Sequence, residues 1–327
     1  MRDWGMPARP LALLAAALLA ALPAPARERR VERTLPAGAA AALRIDAYRG
    51  NITVESSAEP FVRVVVRAAC GLADNAAAAR LLDRLEVAAG GADGVVEVAV
   101  RNPRETGPRF FWQGGGELAL DIVVTAPRRT ALTLSSGGGD LRVGEFEGAV
   151  SLSTAAGTIS CRHVTGSVSA RTERGDIVVS RCLGDIDVAT RRGSVRAGVI
   201  AGRATAEAVN GDIEILSVSG GLAARTTSGD IAAGLTRRFS GGASARADGG
   251  SVTLKIDPAA RLDIAATSVW GQVHVLPSAE PALSLVTREG GDGRRQLLGR
   301  VNGGGSRIEA RASGGQVNLV GEIPPFG

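Results

Sequence analysis

Glycine recurs every nine residues through the middle of this chain, and that spacing constrains the fold more than any other feature. The eleven positions are Gly139, Gly148, Gly157, Gly166, Gly175, Gly184, Gly193, Gly202, Gly211, Gly220 and Gly229. A fixed short period is the signature of a solenoid, in which similar coils stack along one axis. An antiparallel meander with nine-residue hairpins has the same period, but it leaves one face of a long sheet bare. We therefore predict a β-solenoid.

Apolar residues follow each glycine at the second and fourth positions. At the second position ten of the eleven residues are Val, Ile or Leu, and Ala204 is the exception. The fourth position holds small or branched side chains such as Val143, Leu152 and Ala170. Side chains two residues apart project from the same face of a strand. Each unit therefore predicts a short strand with one buried face.

Neighbouring units differ from each other, so the true repeat is eighteen residues long. One kind of unit has a threonine six residues after its glycine, at Thr154, Thr172, Thr190 and Thr226, with Ala208 in the remaining place. The other kind has an apolar residue seven after its glycine, as at Phe146 and Val164, with Thr236 as the exception. Each coil then contains two strands and two glycine-containing turns. In "TTSGDIAAG" (226–234) the aspartate can cap turn N–H groups that have no ladder partner.

Segments outside the array are less regular. We predict a helix over 74–87, strands at 61–67, 94–101 and 117–125, and weaker copies of the repeat at 48–56, 249–257, 267–275 and 313–320. The predicted fold is an all-β, single-chain β-solenoid, or β-helix, of 18-residue coils with irregular N- and C-terminal covers and one short helix. The predicted divisions are a signal peptide (1–26), N-terminal strands with a helix and cap (27–133), and solenoid repeats with a C-terminal cap (134–327).

The N-terminus indicates export. Arg2 and Arg9 precede an apolar run over 11–22, and "APA" (24–26) follows as a small-x-small cleavage site. The run is too short to span a bilayer comfortably, although an uncleaved anchor is the alternative. No later segment approaches a spanning length, so we predict an exported protein, periplasmic or on the cell surface.

In an oxidising compartment one pair among Cys70, Cys161 and Cys182 could join, but the inward positions of the last two favour buried thiols.

The repeat units resemble a known family. "TTSGDIAAG", "AVNGDIEIL", "LRIDAYRGNITVES" and "LDIVVTAPRRTALTL" are similar to units of the bacterial putative-adhesin domain family, a group of exported proteins. The resemblance covers nearly all of the mature chain and implies a β-helix-like solenoid. It implies an adhesin-like binding or structural role in the cell envelope, and it brings no catalytic residues with it.

Acidic residues and histidines are the candidates for metal binding. Asp140, Asp176, Asp212 and Asp230 form a column on one corner. Calcium-binding β-rolls use denser loops that offer several oxygens per turn, so we interpret these aspartates as turn caps. His163 and His274 are the only histidines, and no Cys/His spacing resembles a metal site. We predict neither metal nor cofactor.

Paired carboxylates raise the possibility of catalysis. Asp185 with Asp187, and Asp212 with Glu214, lie on the outward face of strands, and glycoside hydrolysis needs two carboxylates. The alternative function is thus a β-helix enzyme, lyase or hydrolase, acting on an acidic polysaccharide. Because no constellation of acid, base and nucleophile is evident, we predict no enzyme and assign no catalytic residues.

Two surfaces are candidates for binding. "RFFWQGGG" (109–116) holds Arg109, Phe110, Phe111 and Trp112, and could grip a sugar ring or a partner, or could plug an open solenoid end. Outward arginines near the threonine-bearing corner could meet phosphate or uronate groups of an envelope glycan. These arginines include Arg171, Arg174, Arg191, Arg192 and Arg225. The predicted partner is an envelope glycan, another anionic surface polymer or a protein. Nucleic acid is disfavoured by export and by the lack of interleaved aromatics.

Overall fold

The chain winds into stacked coils of two strands each, which confirms the predicted solenoid. The computed structural model describes residues 27–37, 42–71, 75–92, 94–102, 118–276, 284–289 and 295–324. Across these residues the strands form a 13-stranded sheet, here called sheet A, and a 14-stranded sheet, here called sheet B. Each coil contributes one strand to each sheet, and the inner faces of both sheets form one apolar core.

The N-terminal part contains nine strands and one helix among the described residues. They are β1 (Arg27–Pro36), β2 (Ala42–Ala47), β3 (Asn51–Ser57), β4 (Phe61–Cys70), α1 (Asn75–Asp83), β5 (Glu86–Ala92), β6 (Val95–Arg101), β7 (Leu118–Pro127), β8 (Ala131–Ser136) and β9 (Leu141–Phe146). The helix and the three predicted strands are confirmed, with α1 shorter than its predicted span.

The central part continues the regular alternation between the two sheets. Its strands are β10 (Val150–Ala156), β11 (Ile159–Val164), β12 (Val168–Arg174), β13 (Ile177–Cys182), β14 (Ile186–Arg192), β15 (Val195–Ile200), β16 (Arg203–Asn210), β17 (Ile213–Val218), β18 (Gly221–Ser228) and β19 (Ile231–Leu235).

The C-terminal part keeps the same architecture with less regular spacing. Its strands are β20 (Ala243–Ala247), β21 (Val252–Ile256), β22 (Leu262–Ser268), β23 (Val273–Leu276), β24 (Ser284–Glu289), β25 (Arg295–Val301), β26 (Ser306–Ala312) and β27 (Val317–Gly321).

Parallel pairing with an offset of eighteen residues builds the coils from β8 to β19, whereas the offset from β18 to β20 is twenty-one. In sheet A, Ile177 lies opposite Ile159 on one side and Val195 on the other. Each of these side chains is at most 1% exposed, so like residues stack into apolar columns. Burying one such side chain contributes about 1.5–3 kcal/mol. The 18-residue repeat is therefore the distance along the chain from one coil to the next.

Two coils are inserted out of chain order. The coil of β2 and β3 lies between that of β6 and β7 and that of β8 and β9, and the coil of β26 and β27 lies between that of β20 and β21 and that of β22 and β23. Within the described residues this gives eleven coils in parallel register, which span about 48 Å at about 4.8 Å per step.

Antiparallel strands and the helix cover the ends. Beyond the first coil, β4 and β1 extend sheet A and β5 extends sheet B, while β25 and β24 extend sheet B beyond the last coil. Arg29 donates from Nη1 to the carbonyl oxygens of Leu82 (2.6 Å) and Leu85 (2.9 Å), which fixes the C-terminal end of α1. None of the described residues belongs to a helix that is long and apolar enough to cross a membrane.

Candidate functional site

The glycine-bearing corners bring the backbones of successive coils into direct contact. Gly157 has a φ of +137°, which favours glycine, and a Cβ at this position would collide with the carbonyl of Gly139 in the preceding coil. On the other corner, a Cβ at Gly166 would lie 2.6 Å from the carbonyl oxygen of Gly148. The close stacking of coils at both corners therefore requires a glycine every nine residues.

The aspartate column caps the stacked turns, as the sequence predicted. Asp140 accepts a hydrogen bond from the backbone N–H of Thr158 (2.9 Å), and Asp176 accepts one from Ser194 (2.8 Å). Asp230 repeats the arrangement with the N–H of Ser251 (2.8 Å). Each cap ties one coil to the next, so these carboxylates have a structural task. Among the described residues, no three His, Cys, Asp or Glu side chains come together as a metal site.

The threonine column explains why a polar residue recurs at a buried position. Thr172, Thr190 and Thr226 are at most 5% exposed. Thr190 Oγ1 donates to the carbonyl oxygen of Gly175 (3.0 Å), and Thr226 Oγ1 donates to that of Gly211 (2.9 Å). The hydroxyls therefore satisfy corner carbonyls inside the coil, and they are not available for surface chemistry.

Three of the four carboxylates considered for catalysis are engaged elsewhere. Asp185 accepts a hydrogen bond from the backbone N–H of Arg203 (2.8 Å). Asp187 forms an ion pair with Arg171 (2.8 Å), and Asp212 accepts from the N–H of Asp230 (2.9 Å). The fourth carboxylate, Glu214, is exposed on sheet A. Asp185, Asp187 and Asp212 therefore hold neighbouring parts of the solenoid together.

The two histidines lie far apart. His163 is on β11, in register with Glu145 and Arg181, and His274 is on the terminal strand β23 beside Asn318. Seven strand spacings of sheet A separate the two strands, or about 34 Å. A site that uses both histidines is therefore excluded.

The cysteines are free and buried within the described residues. Burial, and to a lesser degree the neighbouring Cys182, raise the pKa of Cys161 to about 12. Burial also raises the pKa of Cys182, whose thiol lies 3.2 Å from the carbonyl oxygen of Gly166. Both thiols are protonated at neutral pH, so neither is a nucleophile there.

The outward arginines predicted from the sequence do lie together on sheet B. We call Arg171, Arg174, Arg191, Arg192 and Arg225 the arginine corner. All five side chains are exposed. Arg171 pairs with Asp187, and Arg225 approaches Asp248 at 3.7 Å. Arg174, Arg191 and Arg192 have no ion-pair or hydrogen-bond partner for their side chains among the residues that the structure describes.

A concavity of about 520 Å³ opens beside these arginines. Its floor exists because the small Ala189 stands in register between Arg171 and Glu207, so a column of long side chains is interrupted. The lining residues come from strands β10, β12, β14, β16 and β18 and their corners. They are Ser153, Thr154, Arg171, Thr172, Glu173, Ala189, Thr190, Arg191, Glu207, Ala208, Val209, Arg225 and Thr227.

Several of these lining residues were not identified from the sequence. The sequence analysis missed Glu173, Glu207 and Val209, which is 43% exposed. Aligning the chain in columns of eighteen residues would have placed Glu207 beside Arg225. Trp270, at the corner before β23, is 84% exposed and was also missed. The predicted binding residues Arg109, Phe110, Phe111 and Trp112 lie outside the described residues, so their role stays a prediction.

Comparisons with known proteins identify a family and several similar solved structures. A family model described as Toastrack DUF4097 matches residues 93–319. The chain is similar to a putative adhesin from Bacteroides fragilis at 14% identity and a TM-score of 0.37, covering 92% of this chain and 99% of that one. It is similar to a putative adhesin from Parabacteroides merdae at 10% identity and a TM-score of 0.38, covering 90% and 96%. No curated protein matches the chain.

Proposed function

We propose that this chain, which belongs to the Toastrack DUF4097 family, is a non-enzymatic, exported module of the bacterial cell envelope with an adhesin-like binding or structural role. Membership confirms the resemblance that the repeat units indicated. The coils display side chains at fixed spacing on two long outward faces, which suits the recognition of an extended partner. The partner is an envelope glycan or another anionic surface polymer.

The observation that carries this proposal is that three surface aspartates are engaged in hydrogen bonds or an ion pair, whereas three exposed arginines are not. Asp185 and Asp212 accept backbone N–H bonds, and Asp187 is held by Arg171. In contrast, Arg174, Arg191 and Arg192 project from sheet B without partners among the described residues. Asp185, Asp187 and Asp212 therefore support the structure, while Arg174, Arg191 and Arg192 remain open to a ligand. Arg109–Trp112 are a second proposed contact with the same partner.

Export and binding are tested separately. Fractionation of cells that express the full chain or a chain without residues 1–26 should place the first outside the cytoplasm and the second inside it. Retention of the full chain in the cytoplasm would overturn the envelope assignment.

Binding of the purified chain 27–327 to immobilised envelope glycans and lipopolysaccharides should be specific and should weaken as salt is added. The Trp112→Ala variant should bind less, because Trp112 belongs to the second proposed contact. If the chain cleaves a uronate polymer and this activity disappears in Asp185→Asn or Asp212→Asn, the proposal of a non-enzymatic binding module is wrong and the chain is an enzyme.

A further inference from the structure

We propose that the arginine corner is a binding site for an acidic glycan, with Arg174, Arg191 and Arg192 holding its anionic groups. This inference rests on the proposed function, because it names the ligand class and the residues of a binding module.

The arrangement of the arginines favours a bound anion. Arg174 and Arg192 are in register on β12 and β14, so their backbones are about 4.8 Å apart. Like charges directly opposite each other destabilise a sheet. Asp176, two residues after Arg174, accepts from the Ser194 N–H and pairs with Arg196 at 3.5 Å, and it forms no ion pair with Arg174 or Arg192. An anion between the two guanidinium groups would remove this repulsion and form charge-assisted hydrogen bonds.

The carboxylates beside the arginines select among anions. Glu173 and Glu207 line the concavity together with Arg191, while Arg174 and Arg192 lie at the strand ends next to it. Neither glutamate has an ion-pair partner among the residues described. Ionised carboxylates accept hydrogen bonds and repel other anions. A ligand that carries only negative groups is repelled by these two side chains. A ligand that alternates anionic groups with hydroxyls satisfies both the arginines and the glutamates, and an acidic sugar chain has this composition.

The shape of the concavity fits an extended ligand. Its lining comes from five successive coils of sheet B, from Thr154 on β10 to Thr227 on β18, which spans about 19 Å. Val209 and Ala189 add apolar surface on which the C–H face of a sugar ring can pack. A single small anion would contact only one part of this length. The site is therefore built for a chain of several sugars.

The test uses the chain 27–327 and isothermal titration with four probes: an oligogalacturonate, a neutral dextran of matched length, inorganic polyphosphate and free phosphate. We expect the oligogalacturonate to bind more tightly than the other three, with an affinity that falls as salt is added. Equal binding of polyphosphate would overturn the assignment to a glycan. Equal binding of dextran, or no binding of the oligogalacturonate, would overturn the anionic site.

The variants use residues that the chain itself places at equivalent positions. Arg174→Asn/Arg191→Thr/Arg192→Asn follows Asn210 and Thr227 in the same columns, so the fold should be kept. Each arginine removed should weaken oligogalacturonate binding about tenfold. The control, Arg181→Ser/Arg237→Ser/Arg238→Ser, removes the same formal charge at three exposed positions outside the arginine corner and should bind as the unchanged chain does.

Equal loss of affinity in both triple variants would mean a general charge effect and would overturn the site. If immobilised envelope glycans are still bound by the arginine-corner variant, the binding module stands and the location of its site is wrong. Glu207→Gln provides an independent readout, because it should raise the affinity for polyphosphate and lower that for the oligogalacturonate. A variant that affects the two probes in the same direction would contradict the role of the glutamates.

Discussion

Asp212 accepts a hydrogen bond from the backbone N–H of Asp230 at 2.9 Å, one coil further along the chain. Asp230 in turn accepts from Ser251, so the caps form a ladder in which each aspartate holds the turn above it. These hydrogen bonds hold successive coils in register at the corner, where strand pairing ends.

Replacing Asp212 with Ala should therefore destabilise the chain by about 1 kcal/mol, the typical net contribution of one such hydrogen bond. Asp212→Asn should cost less because its Oδ1 still accepts. Urea unfolding monitored by circular dichroism measures both. Glu214→Ala, which removes an exposed carboxylate two residues away, is the control and should be nearly neutral. Equal losses in Asp212→Ala and Asp212→Asn would mean that charge matters more than the cap.

One coil lacks the buried hydroxyl that its neighbours have. Ala208 is 4% exposed and lies in register between Thr190 and Thr226, which donate to corner glycines. Alanine cannot donate to the carbonyl of Gly193, the corresponding glycine. We expect Ala208→Thr to stabilise the chain by about 1 kcal/mol. Ala208→Val adds a similar volume without a hydroxyl, so a gain with Thr and none with Val supports the hydrogen bond.

The corner glycines should tolerate substitution only where space and φ allow it. Gly157→Ala places a Cβ against the Gly139 carbonyl at a φ of +137°, and such strain costs on the order of 1–3 kcal/mol before the collision is counted. Gly138→Ala is the control because its Cβ would meet only the Ala156 carbonyl oxygen, at 3.9 Å. Thermal unfolding should show a large loss for the first and little change for the second. Similar melting temperatures would contradict close stacking at this corner.

Local periodicity was sufficient to predict the coil, its inward columns and the caps, because every coil repeats the same short-range requirements. Gly157, Ile177 and Asp212 each have a role that can be read from neighbours nine or eighteen residues away. The insertion of the β2–β3 coil between the β6–β7 coil and the β8–β9 coil was not predictable, since it depends on pairing between distant segments with weak repeats. The concavity was missed for a related reason. It arises from the difference between coils, where Ala189 replaces a long side chain, and a search for what coils share does not detect it.

The buried thiol of Cys161 should make stability fall at high pH. Its pKa is raised from an ordinary value of 9.0 to about 12 in the folded chain, first by burial and then by Cys182. The unfolded chain therefore releases this proton at a lower pH than the folded chain does. The contribution to stability is fully present below pH 9 and is lost progressively as the pH rises from 9 towards 12.

Urea unfolding of the unchanged chain and of Cys161→Ala measures this effect between pH 8 and pH 11, a range set by the two pKa values. The stability difference between the two chains should shrink as the pH rises. A difference that stays constant would contradict the raised pKa. Thiol labelling adds a second readout, because Cys161 should react slowly in the folded chain and quickly in urea.

Arg174 and Arg192 should lower stability when no ligand is bound, because their like charges are in register on neighbouring strands. Arg192→Asn removes the repulsion and copies Asn210, the next residue in the column. We expect a stabilisation of about 0.2–1 kcal/mol at low ionic strength, which should disappear at high salt. Arg181→Asn on sheet A is the control and should show no such gain, since its register neighbours are His163 and Val199. If Arg192→Asn destabilises the chain at low salt, the two guanidinium groups do not repel each other, and the argument that an anion belongs between them fails.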